Sequence, residues 1–238
     1  MKTPNSSSRP RGFSLIETVI AIGVLAVLLT GFMIVFAPAA AGIRRAISIQ
    51  EADRLASTVE QELVTYRSGD PGNTGFEKAF QWIKESNSAN TALMVYQYRG
   101  SLSAKRPDGT PDPVTDAADK VAGRDYAVKT MLRRKNDPEF IKDLPAVEGG
   151  VYLVKCTQLV YNNQGELIPG AEGQIKDPKP EGAPSDNADL YPEAVIAFNA
   201  EFYALPGRNE SYITGAAFTN FFNNPKKPVF TRNLAVRR

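Results

Sequence analysis

No charged side chain occurs from residue 18 to residue 43, and this run constrains the chain more than any other feature. A helix over residues 13–41 would be about 43 Å long at 1.5 Å per residue, against a hydrocarbon core of about 30 Å. The segment is therefore long enough to span a membrane, with the excess protruding on one side. A polar, basic stretch ending Arg9-Pro10-Arg11-Gly12 precedes it, and the change at Phe13-Ser14-Leu15-Ile16-Glu17 is abrupt. A secretory signal would have a shorter apolar region ending at a small-residue cut, which Ala39-Ala40-Ala41 imitates. Glu17 argues against that reading, because an unpaired carboxylate near the start of an apolar run costs a few kcal/mol, about 2.5 or more.

Arg11-Gly12-Phe13-Ser14-Leu15-Ile16-Glu17 followed by a long apolar helix resembles the class III leader of type IV pilins and type II secretion pseudopilins. The resemblance implies that a prepilin peptidase cuts between Gly12 and Phe13 and methylates Phe13 as the new N-terminus, leaving the apolar helix in place. It further implies that Glu17 faces the N-terminal amine of a neighbouring subunit and sets the axial register of assembly. A filament core of apolar helices has a low dielectric, so a lone carboxylate there is costly until a cation compensates it. The implied partners are the peptidase, other pilin or pseudopilin subunits, the filament assembly platform and the inner membrane, with the head periplasmic before assembly. The competing reading is a single-pass anchor with a glutamate near the interface and no polymerisation. Arg44 and Arg45 follow the span, so orientation rests on the leader more than on charge asymmetry. Pro38 removes a helical hydrogen bond and should kink or loosen the helix.

Beyond the span, Ile43, Ile47, Leu55, Val59, Leu63 and Tyr66 recur mostly at three- and four-residue intervals among charged residues, which predicts an amphipathic continuation. Ser68-Gly69-Asp70-Pro71-Gly72 should end it near Tyr66 or Arg67. Thr74-Gly75-Phe76-Glu77 has capping-box spacing and opens a second helix with Phe76, Phe80 and Ile83 on one face. Residues 92–99, 125–133, 151–161, 194–204 and 228–236 are rich in β-branched or aromatic residues and predict strands; a turn at Asn162-Asn163-Gln164-Gly165 leads to a short strand at 166–168. The expected fold class is α+β, a long N-terminal helix packed on an antiparallel sheet. The expected division is a leader at 1–12, a membrane and filament-core helix at 13–41, an amphipathic helix at 42–67 and a head at 68–238. Residues 102–123 and 169–189 are expected to be long loops, the places where a binding function would reside if the filament surface were an adhesin.

The remaining composition narrows the chemistry. A chain that is 42% apolar and 23% charged is not disordered, and a net charge of +2 gives no field for a polyanion, so nucleic acid is not an expected partner. Without residues 1–12, which hold Lys2, Arg9 and Arg11, 25 bases face 26 acids. The chain has no histidine, which excludes Ser-His-Asp and Cys-His catalysis, and it has no phosphate loop, Cys-x-x-Cys pair or zinc-ligand spacing. No enzyme activity and no cofactor are expected. Asp108, Asp112, Asp116 and Asp119 in one loop and Asp177, Asp186 and Asp189 in the other lack EF-hand spacing and are expected to be solvated. Cys156, alone among apolar neighbours, is expected in the core, as are Trp82 and the Phe221-Phe222 pair. A single cysteine cannot form the C-terminal disulfide of many major pilins, and no acid follows Glu210, where major pseudopilins hold calcium. Together with the large head, this favours a minor pilin-like component.

Overall fold

The computed structural model describes residues 14–238. Helix α1 (Leu15–Val64) comes first, and the described chain divides into two units, one ending at Ala46 and the other spanning residues 47–238. In the first unit the helix runs without interruption through position 38. Its last segment belongs to the second unit, where Leu55, Val59 and Leu63 are fully buried at the helical spacing expected of a core face.

The second unit is built on a seven-stranded antiparallel sheet. Its elements are α2 (Gly75–Glu85), β1 (Leu93–Lys105), β2 (Pro111–Pro113), β3 (Tyr126–Arg134), α3 (Pro138–Asp143), β4 (Val147–Tyr161), β5 (Leu167–Pro169), β6 (Val195–Ala204), α4 (Glu210–Thr214), α5 (Ala216–Asn223) and β7 (Phe230–Arg237). β1 lies between β3 and β4, β6 follows β4, and β7 closes that side; β2 continues the β4 side of β1, and β5 pairs with the end of β4. The predicted α+β class and antiparallel sheet are present.

The α2 cap forms as its sequence predicts: the Glu77 N–H donates to Thr74 Oγ1 at 3.2 Å, and Glu77 Oε2 accepts the Asn73 N–H at 2.5 Å. A side chain at Gly75 would collide with the Val64 carbonyl, so glycine lets α2 start against the end of α1. The predicted turn after β4 is held by Asn162 Oδ1, which accepts the Gln164 and Glu166 N–H groups, and by Gly165 at a φ of 79°.

Both faces of the sheet are covered, whereas the helical stripe of α1 predicted a partner on one. Leu93, Val95, Cys156, Phe198 and Phe202 meet α1 and α2 on one face; Met94, Tyr96, Leu153 and Tyr203 meet Phe140, Ile213, Phe218 and Phe222 from the short helices on the other. Burial on both faces explains the unbroken apolar run Val151–Val154 in β4, where alternation would be expected of a one-sided sheet.

The segment 102–123 is only partly a loop. β1 runs on to Lys105, and β2 pairs back onto it, because Arg106 turns inward instead of facing water. Its guanidinium meets Glu139 at 2.7 Å and the fully buried Asp143 at 2.5 Å. Asp143 also accepts the Tyr96 hydroxyl at 2.5 Å and lies 3.3 Å from Arg133 Nε, while Arg133 binds Asp108 and Asp137 at 2.8 Å each. Burial tends to raise the Asp108 carboxyl, but hydrogen bonds from Thr110 and Arg133 outweigh it and hold the group at about 2. Segment 169–189 is likewise fastened. Gln158 holds Lys176 through both its backbone groups, Ser185 N–H donates to the Ile175 carbonyl at 2.8 Å, and Ile175 and Ala188 are buried.

Replacing Asp143 by Ala strands two buried guanidinium edges and a tyrosine hydroxyl. The expected cost is about 3–5 kcal/mol of unfolding free energy, read from a denaturant midpoint at unchanged slope, whereas Asp116→Ala changes it by less than about 0.5 kcal/mol.

Candidate functional site

The candidate site is the first turn of α1. Ser14 precedes the helix and Glu17 lies three residues on, so each satisfies a backbone donor that a helix start leaves open. The Ser14 N–H donates to Glu17 Oε2 at 2.8 Å, and the Glu17 N–H donates to Ser14 Oγ at 3.2 Å. The Thr18 N–H reaches the Ser14 carbonyl at 3.2 Å. One carboxylate oxygen is thus occupied within the chain, and among the described residues the other accepts no hydrogen bond. The capping role of Ser14 was not anticipated from the sequence, although Ser-x-x-Glu at 14–17 is a capping-box spacing.

Behind this turn the helix has no polar face. Ile22, Val24, Leu25, Val27, Leu29 and Met33 are distributed around the whole axis, and each is more than half exposed. The stretch Leu15–Ile34 is long and apolar enough to cross a membrane, and none of it is buried within the chain. A helix apolar all round needs a low-dielectric surrounding, which here has to come from lipid or from other helices. Gly12 and Phe13, the expected cleavage and methylation positions, lie outside the described residues.

The other candidate residues are not brought to this turn. Cys156 is buried, and burial pushes its thiol up to about 12, so it is not a nucleophile at neutral pH. Trp82 and Phe222 are buried as expected and Phe221 is half-buried; the Trp82 ring carries Lys78 Nζ 4.3 Å from its centroid. Asp108 and Asp112 face arginines, and among the described residues no three acidic, histidine or cysteine side chains cluster as a metal site would require. The basic C-terminus forms the edge strand β7, with Arg232 3.5 Å from Asp53.

Ser14→Ala removes the cap acceptor and should cost the first turn about 1 kcal/mol, making its amides exchange about fivefold faster in micelles, while Ser14→Thr keeps the cap. Hydrogen exchange at Glu17 and Thr18 measures it.

Comparison with protein families matches residues 7–33 to the prokaryotic N-terminal methylation motif. It spans the predicted cleavage point, the capped turn and most of the exposed apolar stretch. No curated protein and no solved structure matches the chain. At its N-terminus the chain therefore carries a prokaryotic N-terminal methylation motif, the class III leader of type IV pilins and type II secretion pseudopilins.

Proposed function

We propose that this chain is a pilin-like structural subunit, cut by prepilin peptidase after Gly12, methylated at Phe13 and assembled through its N-terminal helix into a type IV pilus or type II secretion pseudopilus. The observation that carries the reading is the combination, within residues 7–33, of the methylation motif and an exposed apolar helix that begins at a single capped carboxylate. Proteins with this leader are structural rather than catalytic, in keeping with the chemistry that the composition excludes.

In this reading residues 1–12 are the leader, 13–41 anchor the subunit in the inner membrane and later form the filament core, 42–67 lead into the head, and 68–238 form a periplasmic head. Glu17 is the register element. The capping box satisfies Oε2 in cis, and Oε1 receives the amine of the neighbouring subunit, an ion pair strengthened by the low dielectric between packed apolar helices. The size of the head and the lack of a disulfide favour a minor component of the filament.

Glu17→Gln tests the proposal. It keeps the side-chain acceptor for the cap but removes the charge, so filament incorporation should fall by about tenfold or more while membrane insertion and the unfolding midpoint of the head stay unchanged. Normal incorporation of the variant would overturn the register role of Glu17, and absence of the unaltered chain from filaments would reduce it to a membrane anchor.

A further inference from the structure

The sheet has two outer edges, and the chain treats them differently. At β7, the edge is covered by α1: the outward Ala235 N–H donates to Glu60 Oε1 at 3.0 Å, and Asp53 faces Arg232. Such side-chain cover blunts an edge against pairing with another strand. The β3 edge has no equivalent. The Lys135 N–H donates to the Ala92 carbonyl at 2.8 Å, and with the β1–β3 register this directs the odd-numbered residues of β3 toward β1. The even-numbered residues point outward, as the Tyr126 carbonyl confirms by accepting the Gly123 N–H at 2.8 Å. Val128 and Thr130 therefore present outward N–H and C=O groups, for which no partner occurs among the described residues.

From Thr130 onward this open edge lies in a groove, with Val128 just outside it. A cleft of ≈ 580 Å³ includes Ala127, Lys129, Thr130 and Met131, walled by Tyr66 at the end of α1 and by Leu102 of β1. A second, of ≈ 360 Å³, continues along Leu132 to Asp137, and Arg67 and Asp108 border both. The carboxylates of the first cleft are neutralised internally: Glu62 receives two bonds from Arg67, and Asp108 is held by Arg133. Lys105 and Lys129, both exposed, form no ion pair among the described residues, so the groove carries their uncompensated positive charge. Val128 is 41% exposed and Leu102 55%, which leaves apolar surface for alternate side chains of an incoming strand.

We propose that the groove along β3 is a docking site for an extended, acidic segment of a partner protein, which adds to the sheet beside Val128 and Thr130. Backbone rungs supply the attachment, and Lys105 and Lys129 select the charge. The C-terminal strand of a second copy is the wrong partner, since β7 carries Arg232 and Arg237 and no acid follows Glu210. The inference does not depend on filament assembly.

The test uses the full chain in detergent micelles and two end-blocked peptides, one alternating valine with glutamate and the other valine with lysine. Fluorescence polarisation should show saturable binding of the acidic peptide, about tenfold tighter than its lysine counterpart. Val128→Pro removes an outward N–H but no bond to β1, and should weaken the acidic peptide about tenfold with the thermal midpoint nearly unchanged. Lys105→Glu with Lys129→Glu should reverse the preference, and decides the matter should the proline variant unfold. Absence of saturable binding, equal affinity for both peptides, or binding indifferent to the charge reversal would overturn the proposal.

Discussion

A helix with apolar side chains on every side and one carboxylate at its start is the constraint to which the rest of the chain answers. In water, the exposed surface from Leu15 to Ile34 would be strongly unfavourable, at about 25 cal/mol for each Å². In lipid, or among like helices, the apolar surface is at ease and the cost shifts to Glu17. The capping box meets part of that cost: the carboxylate accepts a backbone N–H that the helix start would otherwise leave open. In the assembly proposed above, the second carboxylate oxygen takes the cation of a neighbour. The methylation motif matched at residues 7–33 includes this turn.

The head answers a different demand. With one cysteine it has no disulfide, so its order rests on packing and on buried polar links. Helices cover both faces of the sheet, and the excursion from Arg106 to Pro113 is drawn into the body by Asp143, Glu139, Asp108 and Arg133. Buried ion pairs of this kind add little net stability compared with apolar packing, but breaking one partner is costly, so they specify where a segment lies. The result is a head with few free loops and one sheet edge left open in a groove.

Much of this architecture was legible in the sequence. The apolar run, the Thr74-to-Glu77 cap, the turn at Asn162 and the positions of the main strands each follow from local chemistry that tertiary contacts did not override. What escaped was non-local. Arg106 and Asp143 carry no local signal, because their pairing joins segments 37 residues apart, and the second layer of short helices is signalled only by the unbroken apolar run Val151–Val154 in β4. The Ser14 cap is local, and Ser-x-x-Glu at 14–17 carries its signal within the same residues as the leader motif. The groove on β3 depends on strand order, which side-chain periodicity does not encode.

The central claim is that the leader is removed at Gly12 while the apolar helix stays in the mature protein. Intact-mass analysis with N-terminal sequencing of the membrane-extracted protein tests it most directly. The account predicts a chain beginning at Phe13 and carrying one added methyl group on its terminal amine. An uncut chain, or a cut near Ala41 that discards the helix, would contradict it.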